Sequence, residues 1–247
     1  MTLTMLELVL FTILTAATPL VIAAIGELVT ERSGVLNLGV EGMMIAGAAC
    51  AFAIAIVTGS TALGILAGIS AGMVLSAIFA VLVIFLAANQ VATGLALTIL
   101  GTGLAGLVGS GFIGLKREAA VHLSIPVLSD LPLIGKLLFS HDLFVYLGWV
   151  LVAGVAWFLN STRAGLVLRA IGENHASAHA LGLPVRLARF LAILFGGACA
   201  GLAGAYLSLS YTPFWAPGMS AGRGWIALAL VVFASWQPLY AFAGALL

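Results

Sequence analysis

The chain is dominated by apolar runs that are long enough to cross a membrane. Several uncharged segments of about 20 residues follow one another, and roughly 20 helical residues span a hydrocarbon core. Of the residues, 63% are hydrophobic and only 7% are charged, which lies far outside the range of soluble domains. Because backbone polar groups in lipid must be satisfied within each segment, the sequence predicts an all-α, polytopic transmembrane helix bundle.

The apolar runs predict about seven spans and the start of another. The predicted spans are 5–25, with a kink at Pro19, then 43–57, 62–88, 91–112, 143–159, 190–209 and 226–235. A further apolar run after Pro238 stops at Leu247, which predicts a single transmembrane domain, 1–247, that is truncated at its C-terminus. The polar region 115–142 leaves room for a short surface helix.

Glycines recur at four-residue spacing in two of the predicted spans. Gly64, Gly68 and Gly72 share one face of the third span, and Gly197 and Gly201 share a face of the sixth. Small residues at this spacing let helices approach closely in a membrane. The two faces are therefore predicted to be helix-packing surfaces.

The chain lacks a motif for binding ATP itself. The only Gly-Lys pair, Gly135-Lys136, has no preceding glycine at the offset that a phosphate-binding loop requires. Gly101, Gly103 and Gly106 match a dinucleotide fingerprint, but they lie in an uncharged span, so helix packing is the better interpretation. A net charge of +1 favours no nucleic-acid partner.

The stretch 163–189 holds four of the nine Lys and Arg residues. Four arginines at the bilayer centre would oppose insertion by on the order of 10 kcal/mol, so the stretch is predicted to lie in water or at the headgroups. Within it a short helix, 174–181, is predicted. Glu173 or Asn174 would cap its start, Gly182 suits a left-handed stop, and Pro184 prevents continuation. Such a helix between two spans is suited to contact a soluble partner.

Two histidines of this helix, His175 and His179, are four residues apart. With no third ligand in the pattern, a partner-facing or solvated surface is favoured over a metal site, and no metal is predicted.

A second polar stretch, 26–42, lies between the first two predicted spans. Its polar side chains include Glu27, Glu31, Arg32, Asn37 and Glu41. One interpretation is an ordinary polar loop. The other is a broken helix that lines a polar cavity, since glycines permit non-helical backbone at depth where protein or water surrounds it. If the stretch is helical, residues 37 and 41 would share a face.

Two further polar features remain open at the sequence level. Asn89 and Gln90 form either a simple turn or a pair of polar groups in a path through the membrane. The loop 211–225 carries four aromatic residues, Tyr211, Phe214, Trp215 and Trp225. An interfacial aromatic belt is the favoured interpretation of that loop, and a docking surface for an external partner is the alternative.

Three blocks of the chain resemble a known family, the permease subunits of ABC importers for branched-chain amino acids, ribose and nucleosides. They are GELVTERSGVLNLGVEGMMIAGA at 26–48, RAIGENHASAHALGLP at 169–184 and GMSAGRGWIALALVVFASW at 218–236. The simple-sugar and nucleoside branch is the most similar. The chain departs from the family pattern at His175, where Pro is common, and at Ala234, where Gly is common.

The resemblance implies one part of a heteromeric importer in the bacterial plasma (inner) membrane. A second permease subunit would complete the path, separate ATPase subunits would bind ATP, and an extracytoplasmic binding protein would deliver a small polar solute. The implied cytoplasmic coupling residues are Arg169, Gly172, Glu173, Asn174, His175, Gly182 and Arg186. The implied translocation-path residues are Glu27, Asn37, Glu41, Asn89 and Gln90. The chain would hold no cofactor and catalyse no reaction of its own.

Two other functional classes are compatible with parts of the sequence. An ion-coupled secondary transporter would use Glu27, Glu31 and Glu41 as proton or ion sites. A membrane-embedded enzyme or a structural scaffold would need features, such as a nucleophile–base pair, that the sequence does not offer. With the coupling stretch in the cytoplasm, counting spans places the N-terminus outside, and the balance of Lys and Arg between the two sides does not decide the orientation.

Overall fold

The computed structural model describes residues 3–119 and 141–247, which form helices joined by short turns. The helices are α1 (Leu3–Arg32), α2 (Val40–Thr58), α3 (Thr61–Ala80), α4 (Gln90–Gly109), α5 (Leu143–Ser161), α6 (Arg163–Glu173), α7 (His175–Ala180), α8 (Val185–Tyr206), α9 (Arg223–Phe233) and α10 (Pro238–Ala245). Single π-helical turns, Val81–Phe85 and Leu207–Tyr211, extend α3 and α8. The surface helix considered for 115–142 falls mostly on 120–140, outside the described residues.

The prediction of an all-α, polytopic bundle is confirmed. Six of the described helical segments are long and apolar enough to cross a membrane. The predicted seventh span corresponds to α9, which has only 11 residues. At 1.5 Å per residue, α9 rises about 16 Å, or roughly half of a hydrocarbon core.

Helix α1 is longer than its sequence pattern predicts and contains Pro19. A proline has no backbone N–H, so the carbonyl of Thr15, four residues earlier, loses its helical donor. The hydroxyl of Tyr206 on α8 donates to that carbonyl at 2.9 Å. The helix therefore continues past the proline to Arg32, and the predicted end of the span near residue 25 is wrong.

The centre of the bundle is formed by α2, α3 and α8, whose backbones touch at glycines. A Cβ added to Gly72 would lie 2.1 Å from the carbonyl oxygen of Gly197, and one added to Gly201 would lie 2.2 Å from that of Gly68. These distances leave no room for a side chain. The prediction that both glycine faces are helix-packing surfaces is confirmed, and the structure shows that the two faces pack against each other.

The third glycine pattern, on α4, behaves differently along its length. A Cβ on Gly101 would lie 2.4 Å from the carbonyl oxygen of Gly42, so this residue packs tightly against α2. Gly103 and Gly106 have no atom within 4 Å of an added Cβ. Within the part of the chain that the structure describes, the helix-packing interpretation therefore holds for Gly101 but not for Gly103 or Gly106.

The helix directions follow from contacts at the two ends of the bundle. The end of α1 packs on α6, because a Cβ on Gly172 would lie 2.2 Å from the carbonyl oxygen of Arg32. At the opposite end, Ser210 after α8 donates a hydrogen bond to Asp142 at the start of α5. The start of α1 therefore lies at the end opposite to α7, which agrees with an external N-terminus if α7 is cytoplasmic.

Candidate functional site

Between α1 and α2 the chain leaves the helical conformation over residues 33–39, which we call the break. The carbonyl oxygen of Leu38 accepts a hydrogen bond from Thr98 Oγ1 at 3.0 Å. Thr98 lies about 12 Å along α4 from its first residue, Gln90. The break thus reaches well into the depth of the bundle, and of the two interpretations of 26–42 the structure has the broken helix.

Side chains from three helices satisfy the polar backbone of the break. Gln90 Oε1 accepts from the N–H of Leu36 at 2.9 Å, and Glu27 Oε1 accepts from the N–H of Asn37 at 3.1 Å. Arg189 Nε donates to the carbonyl of Ser33 at 2.9 Å. Because unsatisfied backbone groups are costly in an apolar environment, these contacts explain how non-helical chain persists inside the bundle.

Asn37 and Glu41 would share a face only if residues 26–42 formed one helix, and the structure breaks that helix at 33–39. Asn37 lies in the break, where its Oδ1 accepts from the N–H of Gly39 at 2.9 Å. Glu41 lies in the first turn of α2 and is turned towards α9. Helix α2 begins only at Val40, after the break, so Asn37 and Glu41 do not lie in one helix.

Glu41 holds the start of α9 with both carboxylate oxygens. Its Oε1 accepts from Ser220 Oγ at 2.6 Å and from the N–H of Gly222 at 2.9 Å, and its Oε2 accepts from the N–H of Gly224 at 2.7 Å. Gly222 is the N-cap of α9 and supplies no side-chain cap of its own. Glu41 therefore caps α9 from another helix, a role that the sequence pattern did not reveal because about 180 residues separate the partners.

The other two glutamates of the stretch 26–42 lie on α1. Glu27 is 1% exposed, and its second oxygen, Oε2, is buried without a hydrogen-bond partner among residues 3–119 and 141–247. Glu31 Oε2 accepts from the indole N–H of Trp236, which follows α9. The second oxygen of Glu31 is likewise buried and unpartnered. Both carboxylates thus face the protein interior near α9 or the break.

The predicted polar pair at 89–90 is divided between two roles. Gln90 bonds to the break, as described above. Asn89 is exposed and caps α4, since its Oδ1 accepts from the N–H of Ala92 at 3.0 Å. Of the predicted path residues, the structure therefore gathers Glu27, Asn37 and Gln90 around the break and leaves Asn89 at the surface.

The predicted short helix is present as α7, with the predicted ends. Of the two candidate caps, Asn174 acts: its Oδ1 accepts from the N–H of Ser177 at 3.0 Å. At the other end Gly182 has φ of +77°, and the N–H of Leu183 donates back to the carbonyl of Ala178 at 3.1 Å. The hydrogen bonds that fix the two ends of this helix are all local in sequence. We call α7 together with Gly182 the elbow.

The elbow is exposed on most of its surface. His175 and His179 are exposed, whereas Ala178 is buried against Ile171 of α6 and Val185 of α8. A single apolar contact face therefore seats α7, and the remaining faces stay accessible.

The predicted coupling residues flank this helix. Glu173 and Arg186 are exposed and Arg169 is half-buried. Gly172 is placed differently, at the contact with the end of α1, and it also lies against Gly34, which has φ of +83°. The break thereby contacts α6, the helix directly before the elbow, through backbone atoms.

A cavity of about 830 Å³ lies between the elbow and the break. Its lining includes His175, His179, Arg186, Arg189, Gln90 and Val35. The elbow and the break, which lie far apart in the sequence, therefore border the same cavity. Polar side chains of the elbow, together with Gln90 and Arg189, which bond to the break, line a volume large enough for a small polar molecule.

The aromatic loop only partly matches the predicted belt. Tyr211, Phe214 and Trp225 are exposed, as the belt requires. Trp215 is 2% exposed and packs against α4 at Gly109. For Trp215 the belt interpretation is wrong, since this side chain joins the loop to the bundle.

Comparisons with known proteins place the whole chain among transport proteins. A family model described as the permease component of the branched-chain amino acid transport system matches residues 9–247. A putative glucose ABC transporter permease of Haloferax volcanii is 45% identical over 94% of this chain and 72% of its own length. The nucleoside ABC transporter permease of Lactococcus lactis is 31% identical over 98% of this chain and 80% of its own length.

A guanosine ABC transporter permease of Bacillus subtilis is also similar, with 31% identity over 93% of this chain and 76% of its own length. No solved structure matches the chain significantly.

Proposed function

The chain belongs to the family of permease components of the branched-chain amino acid transport system, and from this premise we propose that it carries a sugar or a nucleoside. It is a multi-pass permease subunit of an ABC importer in the bacterial inner membrane, which works with ATPase subunits and a substrate-binding protein. The observation that carries the proposal is the similarity, over nearly the whole chain, to permeases named for glucose, nucleosides and guanosine. All of these solutes are polar and uncharged.

The elbow is the proposed contact with the ATPase subunit. It is exposed, its shape is fixed by Asn174 and by Gly182, and it stands between α6 and α8. Glu173, with the flanking Arg169 and Arg186, would supply polar contacts in a groove of the partner. His175 would stand at the exposed first turn of α7, and Gly172 would set the angle of the elbow against α1. ATP would be bound by the partner, and this chain would hydrolyse none.

The solute path is proposed to run beside the break. Glu27, Asn37 and Gln90 cluster there, and Glu41 holds the adjoining helix end. The cavity supports this placement, because Gln90 and Arg189, which bond to the break, line it together with His175 and His179 of the elbow. A second permease subunit would close the path on its open side, and Asn89 would stand at the end of that path nearest the elbow.

Reconstituted transport tests the proposal. The permease is assembled with its ATPase subunits and binding protein in proteoliposomes. It should take up radiolabelled glucose or guanosine only when ATP is present on the side of the membrane that carries the ATPase subunits. Radiolabelled leucine serves as the matched control and should not accumulate. Uptake of leucine alone would overturn the solute class. Uptake driven by an ion gradient without ATP, and abolished by Glu27→Gln, Glu31→Gln or Glu41→Gln, would replace the importer with a secondary transporter.

Cysteine labelling tests the side on which the elbow lies. In a background with Cys50 and Cys199 replaced by alanine, His179→Cys should react with a membrane-impermeant maleimide only after the cells are permeabilised. Gly59→Cys, at the opposite end of the bundle, should react in intact cells. Labelling of position 179 from outside would exclude contact with a cytoplasmic ATPase.

A further inference from the structure

We propose that α9 is a rigid link from the coupling face to the middle of the membrane, and that Glu41 is the positioning residue at its mid-membrane end. This inference rests on the proposed function, since it concerns how movement at the elbow reaches the solute path. The contacts at the two ends of α9 support it.

The C-terminal end of α9 is bonded to the C-terminal end of α1. The carbonyl oxygen of Trp236 accepts from Arg32 Nε at 3.2 Å and Arg32 Nη2 at 3.1 Å, and its indole N–H donates to Glu31. The carbonyl of Arg32 is in turn the group that touches Gly172 of α6. A continuous set of contacts therefore runs from the elbow through α1 to the end of α9.

The backbone just after α9 is held in a sparsely populated conformation. Ser235 and Trp236 have φ of +50° and +55°, although neither is glycine. Left-handed conformations of this kind are unfavourable for residues that carry a Cβ, and they persist only where surrounding contacts fix them. The bonds from Trp236 to Glu31 and Arg32 are such contacts, so this end of α9 is strongly constrained.

The other end of α9 is bonded to α2 at mid-membrane depth. Glu41 accepts three hydrogen bonds from residues 220–224, and a Cβ on Gly224 would lie 2.6 Å from the Cα of Glu41. The first turns of two helices thus meet at one carboxylate, which is favourable because a negative charge is stabilised at helix N-termini. From this point α2 runs towards the face opposite the elbow and α9 towards the elbow.

The two anchored ends make α9 suited to transmit a displacement. A helix of 11 residues moves as a unit, so a shift of Trp236 at the coupling face would move Gly222 and Gly224 against Glu41. The segment preceding α9, from Thr212 to Gly222, would follow. A purely structural role for Glu41 makes a different prediction, because removing it would then lower stability without changing the solute carried per ATP hydrolysed.

The test is the ratio of solute uptake to ATP hydrolysis in proteoliposomes that contain the full complex. In Glu41→Gln the side chain keeps its size, but one oxygen becomes an N–H₂ group that opposes the backbone donors. We expect the complex to assemble, basal ATPase activity to remain, and uptake per ATP to fall about tenfold. Ser220→Ala, which removes only one of the three bonds, should lower the ratio less, by about two- to threefold.

A double-mutant cycle tests the link itself. Trp236→Phe removes the indole donor at the far end of α9, and it should also lower the ratio. If α9 transmits movement as one body, Glu41→Gln combined with Trp236→Phe will be little worse than Glu41→Gln alone. Additive effects, or a wild-type ratio in an assembled Glu41→Gln or Ser220→Ala complex, would overturn the inference.

The outcomes separate the inference from the proposed function. If the wild-type complex shows no ATP-dependent uptake, the proposed function fails. If the wild type transports and the variants keep its uptake per ATP, only the role of α9 and Glu41 fails. Should Glu41→Gln not assemble while Ser220→Ala assembles with an unchanged ratio, Glu41 has a structural role and the inference is likewise overturned.

Discussion

The break and the elbow are both interruptions of helix, but they are stabilised in opposite ways. Polar contacts of the break come largely from distant parts of the chain, namely Gln90, Thr98 and Arg189, and most of the break is buried. The elbow is fixed by bonds between neighbours in sequence, from Asn174 to Leu183, and most of it is exposed. The break therefore depends on the assembled bundle, whereas the elbow forms its shape locally and leaves its surface free.

This difference predicts that substitutions in the break and in the elbow affect different properties, namely the stability of the bundle and its contact with the ATPase subunit. Changes in the break should lower the stability of the bundle, because they leave buried groups unsatisfied or force backbones apart. Changes in the elbow should leave the bundle intact and weaken contact with a partner. Four pairs of substitutions test this division, and each compares a residue with a chemically matched control.

The largest effect is expected at Gly42, next to the break. An added Cβ would lie 2.6 Å from the carbonyl oxygen of Leu97, so Gly42→Ala should destabilise the protein by about 2–3 kcal/mol. Gly106→Ala is the control, since no atom lies within 4 Å of its added Cβ. Thermal unfolding in detergent measures both. Equal melting temperatures for the two variants would contradict the tight contact between α2 and α4.

A second test removes one polar contact of the break. Thr98→Val leaves the carbonyl of Leu38 without its donor and should cost about 1–2 kcal/mol in the same measurement. Thr102→Val is matched in chemistry, but the Thr102 hydroxyl bonds only to the carbonyl of Thr98 on its own helix. It should change stability by about 0.5 kcal/mol or less. If both variants melt alike, Thr98 does not support the break.

The third test moves to the elbow, where Gly182→Val places a β-branched residue at positive φ. The local strain of about 1–2 kcal/mol should distort the end of α7 and lower co-purification of the ATPase subunit about tenfold, with the melting temperature of the bundle nearly unchanged. Gly59→Val is the control, because Gly59 has φ of +70° and nothing within 4 Å at the opposite end of the bundle. Wild-type assembly of Gly182→Val would count against the coupling role.

The smallest effect is expected for the cap of α7. Asn174→Ala removes the acceptor for the N–H of Ser177 and should weaken this helix by about 1 kcal/mol, which lowers ATPase co-purification several-fold. Ser60→Ala removes the comparable cap of α3 at the far end, where Ser60 Oγ accepts from the N–H of Leu63. That variant should assemble normally. A loss of assembly in Ser60→Ala of the same size would mean that the assay reports stability rather than contact.

The sequence predicted the elbow well because its determinants are local. A cap, a left-handed glycine and a proline lie within about ten residues of one another, and each restricts the backbone by itself. The same holds for the glycine faces of α3 and α8, whose four-residue spacing is visible in the sequence. Such signals need no knowledge of the neighbouring helix.

The break and the mid-membrane contacts of Glu41 could not be derived in the same way. The end of α1 depends on Tyr206 satisfying the carbonyl of Thr15, and the depth of the break depends on Thr98. Glu41 has its partners at 220–224. Charge and glycine content marked the region 26–42 as unusual, but which groups meet there is decided by packing between distant segments.

The close contact of α2, α3 and α8 restricts which movements the transporter can make. Most of their glycines face backbone atoms of a neighbouring helix, and the residues next to these glycines carry side chains, except that Gly196 and Gly197 are adjacent. Sliding one of these helices by a single residue would drive a side chain into a neighbouring carbonyl, so the three helices have one permitted register. We therefore expect the three helices to move together as one frame, and any opening of a passage to come from elements packed on the outside of that frame, such as α9 and the elbow.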